Sequence, residues 1–169
     1  MASGRLRGRI QPLGSRAVRT KPAARAKPTG RKRGAAPGSS GFTSGYPTGR
    51  DAREAVASAL AAAKADGRKI LIDFGANWCG NCKAADEVFA TRGVGALLDA
   101  SYHVVKVDIG GSDSAAFSLL GNYCTGEGAY KMPVLVVLDG NGKVLTETHS
   151  TGNPDLTEAG LGAFLRTWA

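Results

Sequence analysis

Cys79 and Cys82 stand two residues apart in Trp78-Cys79-Gly80-Asn81-Cys82-Lys83, directly after the apolar run Ile70-Leu71-Ile72-Asp73-Phe74. A strand that ends there and passes straight into a helix would hold two thiols close enough to bond. It would also set the first thiol over the free amide N–H groups at the helix start, whose partial positive charge favours thiolate. The chemistry open to such a pair is thiol–disulfide exchange. Cys79 would attack, and Cys82, one helical turn later and shielded, would release the product. Two other readings fit the same spacing. One is a fixed disulfide or a pair of inert thiols; the other is a zinc site. Zinc needs four ligands in a tetrahedral array, and the remaining candidates, Cys124, His103 and His149, stand at no paired spacing.

Asp73 is a carboxylate inside an otherwise apolar strand. Burying it without a partner is costly, so such a group keeps its proton to higher pH and becomes able to exchange it. An outward-facing aspartate is the alternative, and the apolar residues on both sides weigh against it. Lys83 adds positive potential at the helix start or is simply a solvated charge. Cys124 reads as a buried free thiol that packs like a small apolar residue.

Three cysteines in 169 residues do not suit a disulfide framework, which uses an even and larger set. The formal net charge of +8 is unevenly spread. Residues 1–50 carry 12 of the 22 Lys and Arg and none of the 14 Asp and Glu, so the rest of the chain is net acidic. Nucleic-acid binding therefore does not follow from the overall charge, except through the basic segment. That segment reads as a disordered tail, because Leu6, Ile10, Leu13 and Val18 are too scattered to bury apolar surface against the entropy of ordering. Its possible roles are a solubilising extension, an organelle transit peptide, or an electrostatic tether through Arg31-Lys32-Arg33. It contains no run of seven apolar residues that would serve as a secretory core. No stretch of eighteen apolar residues exists to span a membrane. The lack of a secretory core argues against secretion, and the expected location is the cytoplasm, or an organelle if the tail is a transit peptide.

The elements that must position the thiols follow from periodicity. Asp51 caps a helix whose face is Ala55, Val56, Ala59, Leu60 and Ala63, and Gly67 stops it. Ile70 to Phe74 is a central strand covered on both faces. A helix runs from Cys79 to about Arg92, and a short one from Val94 to Ala100. Tyr102 to Ile109 is a second strand, followed by a helix capped by Ser112 or Asp113. Val134 to Leu138 is a third strand, and Asp139-Gly140-Asn141-Gly142 turns it into a fourth over Lys143 to His149. A last helix presents Leu156, Leu161, Phe164, Leu165 and Trp168. Helices between strands imply parallel neighbours, with the final hairpin as an antiparallel edge.

The segment from Ile70 to Lys83, ILIDFGANWCGNCK, together with Met132-Pro133-Val134 and the terminal hairpin and helix, resembles the thioredoxin-fold family over residues 51–169. The resemblance implies an α/β domain with a central mixed sheet flanked by helices, preceded by a disordered basic tail over residues 1–50. It implies a dithiol–disulfide oxidoreductase with no bound cofactor or metal, acting as a monomer on protein disulfides and re-reduced by a partner reductase. Asp73 would lie behind Cys82 and serve it as proton acceptor and donor. Pro133 would be cis and present the Met132 backbone to an extended peptide, and Trp78 would be a surface lid beside the thiols, with simple core packing as the equal alternative. Asn81 stands where the family usually has proline, and Gly75 where it has tryptophan. The dipeptide Gly80-Asn81 leaves the direction open between a reductant, an oxidase and an isomerase. A non-catalytic binding module on the same fold is the alternative outside enzymes.

Overall fold

The computed structural model describes residues 38–169, in which a four-stranded sheet of order β2-β1-β3-β4 is covered by helices on both faces. The chain runs α1 (Ala52–Asp66), β1 (Lys69–Gly75), α2 (Gly80–Phe89), α3 (Arg92–Ser101), β2 (Tyr102–Asp108), α4 (Ser114–Tyr123), β3 (Val134–Leu138), β4 (Val144–Glu147), α5 (Thr148–Thr151) and α6 (Glu158–Trp168). The helix ends match the chemistry of their caps. The Asp51 carboxylate accepts from the N–H groups of Arg53 and Glu54, and Gly67 leaves α1 at φ 82°, a left-handed geometry that glycine adopts without strain. Asp113 caps α4 in the same way as Asp51 caps α1.

β1 is buried from Ile70 to Gly75 and lies between β2 and β3. Its alternating side chains divide the molecule into two cores. Ile70, Ile72 and Phe74 face α1 and α4 together with Val105, Val107, Val136 and Leu138. Leu71 faces the other way with Val104, Leu135 and Val137, under α2, α3 and α6. By the same alternation Asp73 and Gly75 share the second face. Tyr102 ties this layer together by donating its buried hydroxyl to the Leu165 carbonyl at 2.6 Å.

Three expectations need correcting. β3 is antiparallel to β1, not parallel, whereas β2 is parallel to it. Gly75 at the end of β1 pairs with Asp108 at the end of β2, and Phe74 pairs with Val134 at the start of β3. The loop after α4 thus returns the chain to the edge where β2 finished, and an apolar run carries no mark of its direction. The fourth strand is shorter than the span from Lys143 to His149, because Thr148 begins the one-turn helix α5. The tail does not extend undisturbed to residue 50. Residues 1–37, including Arg31-Lys32-Arg33, lie outside the described residues, but Ser40 and Tyr46 are buried on the domain. The Ser40 carbonyl accepts from Val104 N–H at 2.7 Å, and Ser40 N–H donates to Asp99 at 2.7 Å. Phe42 meets the Phe89 ring edge-on, with centroids 5.9 Å apart. Among the described residues no helix is long and apolar enough to cross a membrane.

Candidate active site

The chain leaves β1 at Gly75, turns through Ala76, Asn77 and Trp78, and enters α2 at Gly80. Cys79 is the N-cap of that helix, and its Sγ accepts from Cys82 N–H at 3.4 Å. The first sulfur therefore sits where the orphan amides of α2 point, and negative charge there is favoured. Cys82 faces inward one turn later. Both thiols are free, with Cys79 8% exposed and Cys82 fully buried. That difference sets which sulfur a substrate can reach first. Burial, and next the hydrogen bond with Cys79, push the Cys82 thiol up to about 12.

Behind Cys82 the second face of the sheet supplies two polar groups. Asp73 and Lys106 are register partners across β1 and β2, so their side chains emerge side by side under α2. Lys106 Nζ stands 3.1 Å from Asp73 Oδ2, close enough for charge pairing although not aligned as a hydrogen bond. The same ammonium contacts the Asp86 carboxylate on α2. Burial raises the Asp73 carboxyl above the ordinary carboxylate range, against the pull of Lys106 and of a hydrogen bond from Tyr46. Tyr46 donates that bond to Asp73 Oδ1 at 2.8 Å.

The residues singled out from sequence come together at this edge. The Met132–Pro133 peptide is cis, and Met132 packs on the cluster formed by Tyr46, Ala76, Cys79 and Cys82. Trp78 is 67% exposed, with its indole N–H on the Gly110 carbonyl at 3.1 Å, so it caps the surface rather than filling the core. Lys83 is exposed on the helix surface. Cys124 lies apart, in the core between the sheet and α1 and α4; burial, then the Glu147 charge, push its thiol up to about 12. Among the described residues no group of three or more His, Cys, Asp and Glu is placed to hold a metal ion.

Three residues of the site were missed in the sequence. Lys106 carried the same signal as Asp73, a charge inside an apolar strand. Asp86 carried none, because an aspartate on a helix is ordinarily solvated. Tyr46 lies in a stretch whose composition predicts no packing.

The family model described as thioredoxin-like matches residues 51–140. The chain is similar to a disulphide isomerase from Xylella fastidiosa Temecula1, at 31% identity and a TM-score of 0.62, over 72% of this chain and 94% of that one. It is also similar to a thioredoxin from Thermus thermophilus, at 21% identity and a TM-score of 0.49, over 72% of this chain and 83% of that one. No curated protein matches the chain.

Proposed function

The chain belongs to the thioredoxin-like family, and from that premise we propose that it is a thiol–disulfide oxidoreductase that reduces disulfides in protein substrates through Cys79 and Cys82. The observation that carries this reading is the unequal burial of two free thiols at one helix start: Cys79 retains an open edge and Cys82 has none. Cys79 thiolate attacks one sulfur of the substrate disulfide, that S–S bond breaks, and the departing thiolate takes a proton from water. Cys82 then gives up its proton, with Asp73 as the eventual acceptor, and attacks the Cys79 sulfur. The substrate's second thiol leaves, and the two cysteines are left joined. A partner dithiol must restore them, because the pair of electrons has gone to the substrate.

Substrate would bind across the edge formed by Trp78, Met132 and Pro133. The backbone of Met132 would pair with an extended peptide, as an added strand does, and Trp78 would cover the reacting sulfurs. Both the accessibility of Trp78 and the packing of Met132 on the thiol cluster support this.

A second reading, disulfide isomerisation, is favoured by the likeness to the Xylella isomerase. The two separate on redox potential. Titrating the Cys79–Cys82 couple against dithiothreitol and glutathione buffers should give a reversible two-electron transition. A value near about −270 mV marks a reductant, and one near about −180 mV an isomerase. No transition, or one that persists in the Cys79→Ser/Cys82→Ser variant, would defeat both and leave a binding module.

A further inference from the structure

The dithiol reading leaves a gap between Cys82, which must lose a proton, and Asp73, which must receive it. Among the described residues no hydrogen bond joins the two directly. The Tyr46 hydroxyl donates to Asp73 Oδ1 at 2.8 Å, and it borders the same space beside Gly75 that Cys82 Sγ borders. A phenol has one proton to give and lone pairs to accept another. With its proton directed at the carboxylate, the oxygen is free to accept from Cys82 S–H.

The rest of the structure holds Tyr46 in that position. Its N–H donates to Asn77 Oδ1 at 2.8 Å, and Asn77 Nδ2 returns a bond to its carbonyl at 2.8 Å, clamping the segment to the turn before Cys79. Gly45 N–H donates to Asp86 Oδ2 at 2.6 Å, and Gly45 adopts φ 79°, which a residue with a side chain would resist. Lys106 Nζ lies 4.1 Å from the centroid of the Tyr46 ring, a cation over its face. Space for the hydroxyl exists because residue 75 is glycine: a Cβ there would overlap the Tyr46 hydroxyl and come within 2.7 Å of Cys82 Sγ. Gly75 thus leaves a notch in β1 that a side chain from outside the family-matched region fills.

We infer that Tyr46 relays the proton from Cys82 to Asp73 as Cys82 attacks the mixed disulfide. The inference rests on the oxidoreductase reading and adds a residue to it. As Cys82 Sγ bonds to Cys79 Sγ, the thiol proton passes to Tyr46 Oη and the phenolic proton passes to Asp73 Oδ1, while the Cys79–substrate S–S bond breaks and the substrate thiolate departs. The two transfers are concerted. Burial, and next the Asp73 charge, hold the Tyr46 phenol far above its ordinary range, so a phenolate does not accumulate. The charged and titratable groups facing Tyr46 are Asp73 on β1, Lys106 on β2, and Cys82 and Asp86 on α2.

The test uses the full chain and the aromatic disulfide dithiobis(nitrobenzoic acid). Attack by Cys79 releases one nitrothiobenzoate, and attack by Cys82 on the resulting mixed disulfide releases the second, so stopped-flow absorbance separates the steps. Tyr46→Phe keeps the ring and removes only the hydroxyl. The first phase should stay within about twofold of wild type, and the second should slow by about 10- to 100-fold at neutral pH, a typical share for positioned acid–base groups. The slowed phase should recover as pH rises and bulk base takes over. Asp73→Asn should slow the same phase, and the double variant should be no slower than the slower single variant. An unchanged second phase in Tyr46→Phe overturns the relay while leaving the oxidoreductase reading intact. Equal slowing of both phases overturns it as well, since that would mark a distorted motif. A wild-type chain that releases no second equivalent overturns both.

Discussion

Removing the Lys106 ammonium tests whether the charges behind Cys82 are as dry as the structure places them. In Lys106→Met a side chain of similar length keeps the packing and loses the cation. Two unit charges 3.1 Å apart attract by about 5 kcal/mol at an effective dielectric of 20, and losing the desolvation cost of the ammonium offsets part of that. Breaking a buried pair by removing one partner costs about 3–5 kcal/mol. Asp86 keeps two other partners, because Gly45 N–H and the Ser44 hydroxyl still donate to it at 2.6 and 3.5 Å. Asp73 is different. Its carboxyl is already raised by burial, and loss of Lys106 raises it further, so the folded variant holds that proton to higher pH than wild type does. An unfolded aspartate releases that proton near pH 3.9. The folded state then binds more protons than the unfolded state, and stability falls as pH rises, by about 1.4 kcal/mol per pH unit while Asp73 stays protonated. Urea unfolding of the reduced protein at pH 5 and pH 7 reads this directly. The variant should be about 3 kcal/mol less stable than wild type at pH 7 and markedly closer to it at pH 5. Adding Asp73→Asn should abolish the pH dependence and recover part of the loss. A loss below about 1 kcal/mol at pH 7, or a variant indifferent to pH over that interval, would refute a water-excluded pair.

Asp66 offers the opposite sign at the surface. Partial burial pushes its carboxyl up, but hydrogen bonds from the Arg68 N–H, the His103 ring and the Arg68 side chain together outweigh it and hold the group at about 2. Its folded value lies below its unfolded one, so its stabilisation is present above about pH 4 and is lost as pH falls through about 2. Asp66→Asn should lower the neutral plateau modestly and flatten the acid limb between those limits, while leaving stability at about pH 2 and below little changed. A second comparison concerns residues 38–50. A chain beginning at residue 51 lacks Tyr46, Phe42 and the Ser40 backbone bonds, so it should be less stable than one beginning at residue 38 by about 3 kcal/mol or more. Cys82 should also become open to iodoacetamide. Equal stability and equal protection of Cys82 in the two chains would show that the segment does not hold the site.

Much of this arrangement could be read from residue types in order. The spacing of Cys79 and Cys82 after an apolar strand implied a helix N-cap thiol and a buried one, and both are present. Asp73 was legible because a carboxylate in an apolar run has nowhere wet to point. The direction of β3 was not legible, because Val134 to Leu138 is apolar on both faces and fits either orientation equally; only the return path of the loop after α4 decides it. The position of Tyr46 was not legible for a related reason. Its neighbours Ser44, Gly45, Pro47 and Thr48 carry no hydrophobic period, and its burial depends on a notch that appears only when β1 and α2 are assembled.

Gly75 connects those observations. A large side chain at that position would fill the second face of β1 beside Cys82 and leave no route for a hydroxyl from elsewhere in the chain. With glycine there, the notch would either admit water or be filled, and water beside Asp73 would weaken its pairing with Lys106 by raising the local dielectric. Tyr46 fills it with a ring that packs on Met132 and Ala76 and a hydroxyl that satisfies Asp73. The segment that supplies Tyr46 is in turn held by Asn77 and Asp86, residues on either side of the two cysteines. Asn77 thus ties the turn before Cys79 to the backbone of Tyr46 through two hydrogen bonds. Asn77→Ala, which removes both clamp bonds but touches neither thiol, should expose Cys82 to alkylation and slow the second nitrothiobenzoate phase more than the first. If that variant protects Cys82 as well as wild type does, the Asn77 clamp contributes nothing to the closed site.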